Sequence, residues 1–169
     1  MEFLRILRGI IRERGADSLV YLDESGFEVS SYRPYGWAPK GEKIYGERSG
    51  NSRPRTSLIV AKQGKKLLAP ILFEGSTNAM WFNRWLEEYL CKELAPGSTI
   101  IMDNATFHKT KETKDIIERN HHHLLYLPKY SPDFNPVEKV FAIIKKRRQY
   151  ADQNTSLDRL VSSYENYLV

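Results

Sequence analysis

The chain has 169 residues, 41% of them hydrophobic and 28% charged, and a formal net charge of +5. This composition is typical of one folded globular domain and excludes a disordered or disulfide-rich chain. The longest apolar stretch, residues 67–73, is too short to span a membrane, and the only cysteine cannot form an internal disulfide. We therefore expect a cytoplasmic protein, for which the mild positive charge alone is a weak indication of a nucleic-acid partner.

Residues 1–17 are predicted to form an N-terminal amphipathic helix or a linker. Apolar residues recur at helical spacing along one face, and Gly15 ends the pattern. That face consists of Phe3, Leu4, Leu7, Ile10 and Ile11. Such a helix either packs against the domain or lies on a membrane surface, and the first interpretation is favoured because it is the more common outcome.

Two strands are predicted next, over residues 18–23 and 27–32, from their β-branched and aromatic residues. Residues 33–55 then contain three prolines, four glycines and six basic residues against two acidic ones. This composition predicts a long exposed loop with a local charge of +4. Loops of this length inside a domain are uncommon and usually carry function.

The rest of the chain alternates between strands and helices. Residues 56–62 and 66–73 are predicted to form a hairpin, and Asn78 can cap a helix that continues to about Leu94. The later elements are a strand over 99–103, a helix over 109–119, a strand over 122–127, a helix starting at Pro136 and a helix over 156–168. Antiparallel strands followed by right-handed crossovers predict an α/β fold, a mixed sheet with helices on both faces.

Two predicted strands end in an aspartate on the same relative face, Asp23 and Asp103. If these strands are neighbours, the two carboxylates lie close together and need a cation or a proton to offset their repulsion. Glu138 lies beside the apolar stripe of the helix after Pro136, so it can face the same site. Three carboxylates favour Mg²⁺ or Mn²⁺, and two such ions would support in-line phosphoryl transfer. The alternative is a chance pattern, because acids are common at turns and helix starts.

Four segments resemble the catalytic domain of mariner-type insertion-sequence transposases, which are DDE superfamily endonucleases with a ribonuclease H-like fold. They are Tyr-Leu-Asp-Glu-Ser-Gly-Phe at 21–27, Gly-Trp-Ala-Pro-Lys-Gly at 36–41, Met-Asp-Asn-Ala-Thr-Phe-His at 102–108 and Leu-Pro-Lys-Tyr-Ser-Pro-Asp-Phe-Asn-Pro-Val-Glu at 127–138. The motifs occur in the order of the family, and the interval from Asp103 to Glu138 matches that between its second and third catalytic acids. One such motif would be weak, whereas four in order are specific.

The resemblance implies a mixed five-stranded ribonuclease H-like sheet flanked by helices, with residues 18–169 as the catalytic domain. It implies that Asp23, Asp103 and Glu138 form a catalytic triad that holds two Mg²⁺ or Mn²⁺ ions. The reaction would be metal-dependent cleavage at transposon ends followed by strand transfer to target DNA. The family acts as dimers, and the insertion at 33–55 would be a clamp-like loop that reaches another subunit. A helix-turn-helix domain for end recognition would be separate or missing, because no room for it exists before Ser18.

Basic residues follow the third acid and also occur in the inserted loop. We expect them to contact DNA phosphates, which would place the protein on the nucleoid, although such runs are usually solvated helix faces. These candidates are Lys139, Lys145, Lys146, Arg147 and Arg148, with Arg53 and Arg55 in the loop.

Asn104 and His108 could orient a ligand or contact phosphate. The alternatives, that Asn104 is an ordinary turn residue and that His108 is a buried structural histidine, are equally common.

Two other functions remain open at this point. One is a DNA-binding or regulatory transposase remnant that has lost catalysis. The other is a ribonuclease H-like enzyme for RNA–DNA hybrids, which is disfavoured because the clamp-like loop and the Asn-Pro-Val-Glu motif resemble transposases instead. The three consecutive histidines at 121–123 are not expected to bind zinc, because successive strand residues point to opposite faces.

Overall fold

A mixed five-stranded sheet forms the centre of the computed structural model, which describes residues 2–28, 40, 55–152 and 154–165. The strands are β1 (Leu19–Glu28), β2 (Arg55–Gln63), β3 (Lys66–Glu74), β4 (Thr99–Met102) and β5 (His123–Tyr126). They lie in the order β3-β2-β1-β4-β5; β2 is antiparallel to both β1 and β3, and β4 is parallel to both β1 and β5. The predicted mixed five-stranded sheet is confirmed.

Helices cover both faces of this sheet. They are α1 (Glu2–Arg14), α2 (Ala79–Trp85), α3 (Cys91–Glu93), α4 (Lys111–Arg119), α5 (Val137–Tyr150) and α6 (Leu157–Ser162). A π-helical turn, Leu86–Leu90, joins α2 to α3, so the single helix predicted from Asn78 to about Leu94 is present but is locally widened at this turn. No helix within the described residues is long and apolar enough to cross a membrane.

Several helix boundaries follow from local signals. The side chain of Asn78 accepts a hydrogen bond from the backbone N–H of Trp81, as predicted for an N-cap. Gly15, at φ 83°, follows the last residue of α1. Phe3 of α1 is buried with Leu19 and Ile101 of the sheet, so this helix packs on the domain.

The two short strands predicted over 18–23 and 27–32 are instead one continuous strand up to Glu28. β2 pairs with it without interruption from Tyr21, opposite Lys62, to Glu28, opposite Arg55. The Arg55 guanidinium occupies the space that a side chain at Gly26 would take, since a Cβ atom there would lie 1.7 Å from Nε of Arg55. Arg55 therefore begins β2 rather than ending a loop, and most of the predicted loop lies outside the described residues.

The alternation of side chains along β1 separates the two helical layers. Val20 and Leu22 enter the core beneath α2 and α4, while Phe27 enters the core beneath α5 and α6. Asp23 is paired with Val60, which belongs to the α5 layer, and Glu24 is paired with Ile59, which belongs to the α2 layer. Consecutive acids thus point to opposite faces of the sheet.

The bulged strand β3 is held to the α2 layer by two polar contacts at Ala69. The Trp85 indole N–H donates to the carbonyl of Ala69 at 2.9 Å, and the Ala69 N–H donates to Glu93 at 3.2 Å. Ala69 adopts φ 46°, an uncommon conformation for a residue with a Cβ atom. Trp85 is fully buried, so its indole contributes both packing and this hydrogen bond.

We expect Trp85→Phe to lower the free energy of unfolding by about 2–4 kcal/mol, because it leaves a cavity and an unpaired buried carbonyl. Urea denaturation followed by far-UV circular dichroism measures this change. Trp81→Phe is the matched control, since Trp81 is partly exposed against Phe73, and it should cost less than half as much. Equal losses in the two variants would contradict the role given to the Trp85 indole.

Candidate active site

The parallel register of β1 and β4 places the two predicted aspartates at the same edge of the sheet. Leu19 is paired with Thr99 and Tyr21 with Ile101, and continuing this register by two residues aligns Asp23 with Asp103. Asp103 directly follows β4, whereas Asp23 lies within β1, just beyond the last residue of this strand that pairs with β4. The prediction that these strands are neighbours is confirmed.

Asp23, Asp103 and Glu138 line one open pocket of about 390 Å³. Its remaining walls are Asn135 and two loops, residues 104–105 and 127–132. Tyr130, on the second loop, is 99% exposed and has φ 57°, so its ring stands in solvent at the pocket rim. The motifs at 21–27, 102–108 and 127–138 thus contribute to a single surface, whereas the motif at 36–41 lies almost entirely outside the described residues.

Asp23 is a carboxyl group whose charged form is disfavoured. The pKa of Asp23 is raised from 3.8 to about 7, chiefly by burial and then by the charges of Glu138, Asp103 and Glu24, against a lowering hydrogen bond from the Glu24 N–H. That N–H lies 2.8 Å from Oδ1 of Asp23. In this structure the group therefore holds a proton for about half the time near neutral pH.

Asn135 is a buried residue that ties the strand to the helix of the third acid. Its Nδ2 donates at 3.2 Å to Oδ2 of Asp23 and to the carbonyl of Leu22, while its Oδ1 accepts from the N–H of Val137 at 3.1 Å. Glu138 is the next residue of α5, so Asn135 sets its position relative to Asp23. Sequence reasoning did not single out Asn135, although its place in the Asn-Pro-Val-Glu motif was a usable signal.

Asp103 has the opposite electrostatic character. Its hydrogen bond with His108 lowers the pKa of the carboxyl group, which burial alone would raise. Oδ1 lies 2.6 Å from His108 Nδ1 and accepts the Ala105 N–H at 2.9 Å. The side chain is 52% exposed toward the pocket, so Asp103 is an ionised carboxylate held on one side only.

His108 is buried between two carboxylates. Burial lowers its pKa, but its interactions with Asp103 and Glu24 outweigh that effect and raise the pKa to about 8. Nε2 lies 3.5 Å from Oε1 of Glu24, whose side chain is 16% exposed. The structure thus places His108 against Asp103, whereas the sequence left the role of this histidine open. Glu24 was not identified from the sequence, because its side chain lies on the face of β1 opposite to Asp23.

The other predicted residues divide between local structure and surface. Nδ2 of Asn104 donates to the carbonyl of Leu127, so this side chain joins the end of β4 to the pocket loop. Glu138 is exposed in the first turn of α5. Of the three histidines, His122 is buried and its neighbours are exposed, which fits a strand start better than a zinc site.

The basic residues of α5 have different environments. Lys139 and Lys146 are exposed and lie on the same side of the helix, since seven residues make nearly two turns. The Lys145 ammonium lies 5.5 Å from the Phe27 ring centroid, and Arg147 donates to Leu160 O and Ser163 Oγ of the α6 region at 3.2 and 2.9 Å. Burial lowers the pKa of Arg148. Arg53 lies outside the described residues.

The donor set in the pocket fits a hard divalent cation, because it consists of carboxylate oxygens and because a cation would offset the burial and the neighbouring charges that raise the pKa of Asp23. Within the described part of the chain, however, no three His, Cys, Asp or Glu side chains converge closely enough to hold a metal ion. Because Asp103 is held by His108 and the Ala105 N–H, coordination by all three acids would therefore require the exposed Glu138 to change rotamer.

We expect Asp23→Asn to stabilise the metal-free protein more at pH 8 than at pH 5. The raised pKa of Asp23 gives wild type a contribution that is complete below about pH 4 and is lost as the pH rises through about 7. The advantage of the variant should therefore grow by roughly 2–4 kcal/mol over this interval. Urea denaturation in EDTA at both pH values measures it, and Asp115→Asn, on exposed α4, serves as control. A difference independent of pH would contradict the burial of the Asp23 charge.

Comparisons with known proteins agree with this geometry. A model of the DDE superfamily endonuclease family matches residues 18–161. Mos1 transposase in a paired-end complex with the left transposon end has a TM-score of 0.75 at 19% identity, over 98% of this chain and 53% of that chain. The Mos1 mariner paired-end complex with Mn gives 0.72 at 19%, over 99% and 52%. No curated protein sequence matches the chain.

The isolated catalytic domain of Mos1 mariner transposase has a TM-score of 0.62 at 17% identity, over 98% of this chain and 77% of that chain. These likenesses confirm the predicted ribonuclease H-like fold. The chain spans about half the length of the transposase chains in the paired-end complexes. Because the family match covers most of the chain and includes Asp23, Asp103 and Glu138, the protein belongs to the DDE superfamily endonucleases.

Proposed function

We propose that this chain is the catalytic domain of a mariner-type transposase, which cuts DNA at transposon ends and transfers the freed strand to target DNA. The observation that carries the proposal is the pocket shared by Asp23, Asp103 and Glu138, in which burial, together with the neighbouring carboxylate charges, raises the pKa of Asp23 to about 7. Membership of the endonuclease family and the likeness to DNA-bound Mos1 complexes support it.

The three carboxylates would hold two Mg²⁺ or Mn²⁺ ions, the metals named in Mos1 complexes of the same fold. Such ions, when bound, activate the attacking oxygen and stabilise the leaving oxygen of an in-line displacement at phosphorus. Asp103 is ionised and anchored on one oxygen, which leaves Oδ2 available to the pocket. Asp23 is oriented by Asn135 and contributes negative charge once a cation compensates for its burial.

DNA would approach across the α5 side of the pocket. Lys139 and Lys146 are exposed there and present ammonium groups to phosphates. At the opposite rim stand Lys129, Tyr130 and Ser131, where the exposed ring can stack on an unpaired base. Arg147 donates hydrogen bonds to Leu160 and Ser163 in the α6 region, so in this proposal it shapes the surface and does not bind phosphate.

The assembly would follow the pattern that the resemblance implies. The active form is a homodimer on DNA, with residues 33–55 as the clamp-like loop between subunits and a helix-turn-helix domain supplying recognition of the transposon end. The site of action is DNA in the cytoplasm, at the nucleoid. An inactive remnant, the rival hypothesis, predicts DNA binding without cleavage, which the following experiment distinguishes.

We expect wild type to nick supercoiled plasmid in Mn²⁺ or Mg²⁺, and Asp103→Asn to reduce the rate by about 1,000-fold or more, because a lost metal ligand removes several kcal/mol of transition-state stabilisation. Conversion of supercoiled to open-circular DNA on agarose gels measures the rate. Asp115→Asn should nick like wild type. Nicking that Asp103→Asn leaves intact would contradict the proposal, and DNA binding without any metal-dependent nicking would establish the inactive remnant.

We expect the double variant Lys139→Gln/Lys146→Gln to bind DNA more weakly and with a smaller dependence on salt. Each lost phosphate contact should reduce the slope of log K against log [salt] by about 1. Fluorescence anisotropy with a labelled duplex between 50 and 200 mM KCl measures the slope. Two phosphate contacts correspond to about a tenfold change in affinity over this range of salt. Lys114→Gln, on exposed α4 across the sheet, is the control. A slope equal to that of wild type would remove this face of α5 from the DNA path.

A further inference from the structure

Glu24 Oε1 and His108 Nε2 are two buried polar atoms that face each other at 3.5 Å. Within the described residues, neither has a hydrogen-bond partner. A buried carboxylate of this kind is costly unless a positive or donating group compensates for it. Among the described residues, the imidazole of His108 is the group that faces the Glu24 carboxylate on the apolar α2 side of the sheet.

The imidazole of His108 is fixed by packing as well as by charge. Its ring centroid lies 4.4 Å from that of Phe82 and 4.2 Å from that of Phe107. The hydroxyl of Tyr126 donates to the backbone carbonyl of His108 at 2.9 Å, which anchors the short helical turn that carries the ring. The side chain is 3% exposed, so it has no room to swing away from Asp103.

The contacts of Asp103 are asymmetric between its two oxygens. Oδ1 receives both His108 Nδ1 and the Ala105 N–H, at 2.6 and 2.9 Å, while the carboxylate as a whole is half exposed to the pocket. Two donors on one oxygen fix the plane of the carboxylate and direct Oδ2 into the pocket. An exposed aspartate without such donors would sample several rotamers.

Glu24 connects this arrangement to the other strand aspartate. Its backbone N–H donates to Asp23 Oδ1 at 2.8 Å, while its side chain meets the imidazole that holds Asp103. One residue of β1 thus contacts one of these aspartates directly and the other through His108. A shift of Glu24 would alter the separation of the two aspartates.

We propose that His108 is a positioning residue for Asp103 and that Glu24 orients its imidazole, so that the two set the ligand geometry of the proposed metal site. The inference rests on the proposed function, because Asp103 is taken there as a metal ligand. Groups that orient metal ligands typically contribute 10–100-fold to metal affinity. His108 itself does not touch the metal or the DNA.

The test compares two substitutions of His108 that keep different nitrogens. Asn places an amide N–H at the position of Nδ1, so His108→Asn keeps the bond to Asp103, whereas Gln places its amide near Nε2 and loses that bond. We expect His108→Gln to weaken Mn²⁺ binding by about 10–100-fold, and His108→Asn to stay within about threefold of wild type. Electron paramagnetic resonance of free Mn²⁺ gives the affinity of the whole chain, and thermal melts in EDTA report its stability.

The pattern of the two affinities decides the inference. Equal Mn²⁺ affinities of His108→Gln and wild type would overturn it, even if the melting temperature of the variant fell, because that is the result of a purely structural histidine. If His108→Gln does not fold, Glu24→Ala replaces it: about tenfold weaker Mn²⁺ binding supports the inference and unchanged binding overturns it. Glu24→Gln, which retains an acceptor oxygen, is the control for Glu24→Ala.

Asp103→Asn separates this inference from the proposed function. Mn²⁺ binding by wild type that Asp103→Asn abolishes establishes the metal site, whatever His108 does. If wild type binds no Mn²⁺, the proposed function fails, and the positioning role fails with it. If Asp103→Asn abolishes binding while both His108 variants bind like wild type, only the positioning role is lost.

Discussion

The parallel pairing of β1 with β4 is the constraint on which the site depends. It aligns Asp23 with Asp103 at one edge of the sheet, and α5 brings Glu138 into the same pocket. Burial of the surrounding apolar side chains offsets the free-energy cost of bringing these carboxylates together. The fully buried side chains of the two strands are Val20, Leu22, Ile100 and Met102. A hydrophobic core thus holds together carboxylates that repel one another, and burial, with a smaller contribution from this repulsion, raises the pKa of Asp23.

The elements that the sequence predicted well are those with local physical causes. The Asn78 cap, the glycine after α1 and the alternation of Thr99–Met102 each depend on neighbouring residues alone, and the structure contains them. The continuity of β1 was missed because it depends on pairing with β2 along its whole length. Asp23 and Asp103 were found because a single pairing, correctly expected, brings them together, although β1 continues beyond Asp23 to Glu28.

Contacts between residues far apart in the chain could not be predicted from the sequence, for a different reason. Glu24 and His108 are far apart in the chain and lie in the α2 layer, so no spacing pattern joins them. Asn135 belongs to the Asn-Pro-Val-Glu motif, but no spacing pattern predicts its contacts with Leu22 and Asp23, which are far from it in the chain. The charge of α5 was counted correctly but treated as uniform, whereas Lys145 packs against Phe27 and Arg147 binds the α6 region. Counting charges gives an upper limit on the number available for phosphates.

Asp23 and Asp103 differ in their protonation in the metal-free protein. His108 lowers the pKa of Asp103, so that carboxylate is ionised and oriented before any ligand arrives. Asp23 holds a proton near neutrality because burial and three nearby carboxylates oppose its charge. Two fully ionised aspartates at this edge would add repulsion to the cost of folding, whereas one ionised and one partly protonated group keep that cost small. The metal-free protein thus has one ionised, anchored aspartate and avoids the repulsion between two charged aspartates. Glu24 links the two aspartates, because its N–H contacts Asp23 and its carboxylate contacts His108.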